Sequence, residues 1–235
     1  MTYLIINVLT IFVPLLRSFE HRINMVSKWK ALFPAIFVVG FIFIVWDILF
    51  MEMGVWGFTE EHLIGINIFG LPLEEMLFFL TVPYACLFIY EVLNYFTKRD
   101  FFRAFARPLF LLLSGLLLVL GLLYIQKWYT SVTFLLTAGW LLFLVWRNPA
   151  WLGRFLLSYL VALIPFFIVN GVLTGTGLDN PVVWYNDAEN LGIRLGTIPV
   201  EDIIYGLLLL SGNVYFYEFF SARFPVQNKV NLATN

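Results

Sequence analysis

Long apolar runs separated by short polar segments fill this chain, and the pattern predicts a bundle of membrane-spanning helices. The runs lie at residues 2–17, 30–50, 72–96, 108–126, 129–147, 151–173 and 198–221. A bilayer core about 30 Å thick is crossed by roughly 20 mostly apolar residues in a helix, so seven crossings are expected. The first run is the shortest. It resembles the apolar part of a signal peptide but has neither a basic segment ahead of it nor an A-x-A cleavage site, and it is read as a helix.

Composition agrees. Hydrophobic residues make up 61% of the chain and charged residues 12%, with a mean hydropathy of +0.89, far from a soluble domain. The single cysteine, Cys86, excludes an intramolecular disulfide and offers no zinc cluster; no metal is expected. A formal net charge of −1 says little about partners, and no nucleic-acid partner is expected.

The placement of charge says more. Across seven crossings, Arg17, Arg22, Lys28, Lys30, Lys98, Arg99, Arg103, Arg107, Arg147, Arg154, Arg223 and Lys229 all fall on the side opposite the N-terminus. Only Lys127 and Arg194 fall on the other side. Basic loops stay in the cytoplasm, so the N-terminus is expected outside and the C-terminus inside, in the cell (inner) membrane.

A shift of 127 residues lays the chain on itself: Gly65 on Gly192, Pro72 on Pro199, Glu74 on Glu201, Glu75 on Asp202, Tyr90 on Tyr217 and Glu91 on Glu218. Spans one to three superpose on spans five to seven, and the fourth returns the chain to its starting side. The expected fold is therefore all-α and integral to the membrane, with seven transmembrane helices arranged as two parallel three-helix repeats joined by a linker helix. The boundaries are 1–100 for the first repeat, 101–128 for the linker helix and 129–235 for the second repeat.

The motifs GLPLEE and TIPVED put Glu74, Glu75, Glu201 and Asp202 at the start of the third and seventh spans, facing one leaflet. A proline at the first helical position followed by acids also suits a plain helix start. Asp47, Asn170, Asn190 and Arg194 lie at the same level, and ionisable groups within spans are costly enough to mark functional sites. A composite site across the two repeats is expected. Neighbours on a helix point about 100° apart, so the members of each pair need not share a role.

Other polar residues carry less. Glu91 and Glu218 fall beside Tyr90 and Tyr217 at the far interface and suit anchoring there. His62, next to Glu60 and Glu61, suits a solvated loop. GTGLDN lacks the third glycine and the preceding strand of a dinucleotide fingerprint. The 26 phenylalanines and 8 tryptophans serve packing and lipid contact, and some suit an apolar, electron-rich ligand.

These residues carry a resemblance. Trp46-Asp47 with Gly54, Trp56 and Phe58, Pro72-Leu73-Glu74-Glu75 with Phe78-Phe79, Asn170 with Leu173-Thr174, Val183 with Tyr185-Asn186, and Ile198-Pro199-Val200-Glu201-Asp202 with Tyr205-Gly206 resemble the fused form of the heterodimer-type lycopene cyclases. The resemblance covers nearly the whole chain. It implies an enzyme, an intramolecular lyase or isomerase, that closes the end groups of lycopene without net redox change and without a cofactor: protonation at C2, attack of the C5=C6 bond on the cation at C1, and loss of a proton from C6 to give a β ring, with β-carotene formed via γ-carotene. Such chemistry needs a protonated carboxyl, a dry cavity, cation-stabilising groups and a base. Glu74, Glu75, Glu201 and Asp202 are the implied catalytic residues, supported by Asp47, Asn170, Asn190 and Arg194. Lycopene and membrane lipid are the expected partners.

Three other classes compete. A proton-coupled transporter also uses buried carboxylates in parallel repeats, but its polar residues should continue across the membrane, whereas these gather at one side. A retinal-binding photoreceptor needs a Schiff-base lysine within a span. A prenyltransferase needs spaced aspartates rather than adjacent doublets. The sequence leaves open ε or γ rings, a longer carotenoid, one or both ends, which carboxyl donates the proton, and homo-oligomer formation.

Overall fold

The computed structural model describes residues 1–225; Lys229, counted above among the basic residues, lies outside the described residues. Seven helices form the bundle: α1 (Thr2–Arg17), α2 (Trp29–Glu52), α3 (Leu73–Phe96), α4 (Arg103–Leu123), α5 (Trp128–Arg147), α6 (Leu152–Leu173) and α7 (Val200–Arg223). Helices α2 to α7 are long and apolar enough to cross a membrane. The 16 residues of α1 rise only about 24 Å, so it is the shorter member of an integral membrane bundle. Large apolar side chains such as Phe41, Leu112 and Ile164 face outward, as lipid contact requires.

Six short strands gather at one end of the bundle, called here the hairpin end: β1 (Trp56–Phe58), β2 (Asn67–Ile68), β3 (Leu71–Pro72), β4 (Val183–Tyr185), β5 (Arg194–Leu195) and β6 (Ile198–Pro199). The hairpin β2–β3 pairs Asn67 with Pro72, and β5–β6 pairs Arg194 with Pro199, in the same register after the 127-residue shift. Their tight turns need positive φ, which Gly70 and Gly196 provide at 82° and 67°. Strands β1 and β4 pair antiparallel with Gly57 opposite Trp184, which are also 127 residues apart. A pair of equivalent strands crossing at equivalent residues marks a pseudo-two-fold axis between them, running along the bundle.

The hairpins correct one local reading. Pro72 and Pro199 are not first helical residues but extended N-caps, with ψ of 141° and 140°, because each is still paired in its hairpin. The acids therefore follow in the first turn of α3 and of α7.

Helices pack across the axis as well as within each half. Helix α1 packs on α3 and α5 on α7, while α2 leans on α7 and α3 on α6; α4 covers α5 and α6. At the basic end the crossing is sealed reciprocally: Tyr90 donates to Glu218 at 2.5 Å and Tyr217 donates to Glu91 at 2.6 Å. Lys28 also bonds Glu91. These glutamates are thus not simple interface anchors. Glu91 is buried, because each tyrosine finds its acceptor only on the opposite repeat.

Candidate functional site

Each acidic doublet splits between two environments, as a 100° step around a helix demands. Glu74 and Glu201 turn toward the loops that precede their hairpins. The Ile64 N–H donates to Glu74 Oε1 at 2.6 Å, and the Leu191 N–H donates to Glu201 Oε1 at 2.8 Å, again 127 residues apart. The Thr130 hydroxyl adds a second bond to Glu201 at 2.6 Å. Both side chains are fully buried and neither lines a cavity.

Glu75 and Asp202 turn the other way, into a cavity of about 500 Å³ enclosed by α1, α3, α6 and α7. Asp47 from α2 and Asn170 from α6 line the same space. Tyr3 donates to Glu75, and Tyr129 donates to Asp202. Asp202 receives two further bonds on Oδ2, from Asn170 Nδ2 at 2.7 Å and from the Tyr185 hydroxyl at 3.0 Å. Burial, with Asp202 beside it, pushes the Tyr185 phenol well above its usual range, so it stays a donor. Tyr205 donates to Asp47 at 3.1 Å, and the Asp47 and Glu75 carboxyls are neighbours on the cavity wall.

The two halves differ in what meets the second acid. Asp47 meets the second acid of the first motif, and Asn170 meets the second acid of the other. Two carboxyls side by side in a buried site favour keeping a proton on one of them, whereas an amide N–H and two phenols pointing at Asp202 suit an ionised carboxylate. Away from these groups the wall is apolar and aromatic, including Trp56, Phe78 and Phe166.

Such a duplicated frame around buried acids invites comparison with known proteins, and residues 1–93 and 126–220 match the family model for lycopene cyclase. The chain belongs to the lycopene cyclase family. It is accordingly an enzyme of carotenoid cyclisation with a carotenoid substrate. No curated protein matches the chain, and no solved structure does. For a cyclase, the cavity has the needed chemistry in one place: carboxyls, hydrogen-bond donors and aromatic faces in a mostly apolar enclosure.

Two of the residues expected to support the site lie elsewhere. Asn190 is buried in the β4–β5 loop, where its side chain bonds the Asn186 carbonyl at 3.3 Å and accepts from the Gly192 N–H at 2.7 Å. Arg194 bonds Asp187 at 2.6 Å and the Thr197 carbonyl at 2.9 Å. The hydrogen bond from Arg194 holds Asp187 below the usual carboxylate range. Neither Asn190 nor Arg194 lines the cavity; both shape the loop beside it. His62, expected in a solvated loop, is instead buried between the Thr2 hydroxyl at 3.1 Å and the Asn180 carbonyl at 3.0 Å, tying the two outer loops together.

Sequence reasoning missed Tyr3 and Tyr129. They stand at the starts of α1 and α5, and their spacing of 126 residues, one short of the repeat, hid the equivalence.

Proposed function

We propose that this chain is a lycopene β-cyclase, an isomerising enzyme that closes linear end groups by adding and removing a proton with no net redox change. The carrying observation is the asymmetry inside one cavity: two neighbouring carboxyls, Asp47 and Glu75, and a third, Asp202, held by three donors. The proton shared by Asp47 and Glu75 passes to C2 of the end group and leaves a cation at C1. The C5=C6 π electrons form the C1–C6 bond and move the cation to C5. Asp202 takes the C6 proton, and the C5=C6 double bond of a β ring returns. Atoms and electrons balance without a redox partner. Aromatic faces of Trp56, Tyr205 and Phe78 steady the passing cation, and the apolar wall keeps water from trapping it.

Glu74 and Glu201 serve in this account as hairpin clamps that fix the first turn of α3 and α7, and so aim Glu75 and Asp202. The same reading divides the chain into repeats at 1–100 and 129–235 with the linker helix at 101–128, supported by the matching hairpins. It places the hairpin end outside and the basic end in the cytoplasm of the cell membrane, supported by the basic loops.

Pigment analysis of lycopene-accumulating cells that express the chain tests the proposal. Carotenes with β rings are expected; ε or γ rings would reassign the base, and unchanged lycopene beside membrane-inserted protein would refute cyclisation.

A further inference from the structure

The two acid motifs of the duplicated frame open into one cavity among the described residues. We infer that one end group of the substrate enters sideways from the bilayer between α1 and α6 while the rest of the polyene stays in lipid, so that two rings require two separate visits. The inference rests on the cyclase reading above and adds the route and the order of events.

The mouth is visible in two residues. Leu9 of α1 and Ile168 of α6 both line the cavity, yet they are 67% and 66% exposed. The cavity therefore reaches the outer surface of the bundle between these helices, at a depth occupied by acyl chains. Helix α1 packs on α3 and barely touches α6, so little holds the two sides together. Pro14 and Pro165, which also line the cavity, remove a backbone hydrogen bond from each wall.

The pseudo-two-fold axis would place a twin opening between α5 and α2, and there side chains fill the space. Trp46 and Phe50 of α2 are large aromatic side chains buried on that side. Phe50 packs at a tilt on Trp56 and Trp56 edge-on against Tyr129, with ring centroids 4.9 Å and 5.1 Å apart, closing that side. One chamber serves both motifs, since Glu75 and Asp202 line the same cavity.

A single chamber constrains the reaction. From Glu75 to Ile89 along α3 it extends about 21 Å at 1.5 Å per residue, less than the length of an extended linear carotenoid. The acids stand at the hairpin end of the chamber. Once a ring has formed there, the opposite end group lies outside in lipid, and the molecule has to withdraw and turn round to present it. The monocyclic product is released.

Purified protein in liposomes with lycopene in large excess provides the test. A monocyclic carotene is expected to accumulate to many times the amount of enzyme, and isotopically labelled lycopene added mid-course should enter the monocyclic pool and delay its conversion. Bicyclic product appearing first, with monocyclic carotene never exceeding enzyme, would overturn the two-visit order. Absence of any ring would overturn the cyclase reading instead. For the mouth, Leu9→Trp with Ile168→Trp should slow lycopene conversion about tenfold or more, whereas Val8→Trp with Ile164→Trp, lipid-facing but outside the cavity, should not. Leu9→Ala with Ile168→Ala widens the mouth and should keep or raise the rate, a readout that stands even if the tryptophan pair fails to fold. Equal rates in both tryptophan pairs, or loss of activity in the alanine pair, would place the entrance elsewhere.

Discussion

Asp47 on α2 and Asn170 on α6 are each set against the second acid of their own repeat's motif, Asp47 beside Glu75 and Asn170 donating to Asp202 at 2.7 Å, although the 127-residue register lays Asp47 on Thr174. A carboxyl against a carboxyl retains a proton, and an amide against a carboxyl does not supply one to give away. In the reaction proposed above, this difference turns a symmetric frame into an acid side and a base side.

Asp47→Asn makes the two sides alike and removes the shared proton. Turnover should fall by about 10²-fold or more, the usual scale for a general acid, with the folded protein still in the membrane. Near-normal turnover in this variant would leave the acid pair without a role.

Within each doublet the two positions should separate. Glu75→Gln and Asp202→Asn are expected to abolish most turnover. Glu74→Gln and Glu201→Gln keep an oxygen to accept the Ile64 and Leu191 N–H groups, and should lose activity less while lowering the unfolding midpoint. Steady-state rates and thermal unfolding of the four variants decide this; equal losses within a doublet would contradict the division between clamp and chamber.

Much of this arrangement was legible in the residues. Apolar run length gave the helices, because a run of about 20 apolar residues can satisfy its own backbone in lipid as a helix, and the 127-residue register gave the duplication. The register also exposed the acid doublets, since burying charge twice at equivalent points is costly. What it hid was direction. Whether Glu74 or Glu75 faces the chamber depends on the hairpin that ends at Pro72, and a hairpin of two-residue strands leaves almost no pattern. Asn190 and Arg194 lay at the right level but belong to the β4–β5 loop and the start of the hairpin that follows it. The reciprocal bonds of Tyr90 with Glu218 and Tyr217 with Glu91 depend on packing between repeats, which no local spacing encodes.

That reciprocal pair should matter for stability and not for chemistry. Tyr90→Phe and Tyr217→Phe each remove one bond to a carboxylate, worth about 2 kcal/mol, while leaving the ring in place. Each should lower the unfolding midpoint with turnover per folded molecule unchanged. A selective loss of turnover at constant stability would tie the basic end to the reaction.

Topology follows from the charge distribution. Reporters placed in the loops near residues 60, 127 and 185 should be found outside, and those near 24, 103 and 150 in the cytoplasm. Loops 60 and 185 on opposite faces would contradict the parallel repeats and the pairing of β1 with β4.

The central claim is that a carboxyl proton of the Asp47–Glu75 pair starts the ring, and cyclisation in deuterated water tests it most directly. Purified protein given lycopene, with no flavin or nicotinamide added, should yield one deuterium at C2 of each new ring, and Asp47→Asn should lose ring formation and label together. Rings that form without deuterium at C2, or only when a reduced cofactor is supplied, would contradict the account.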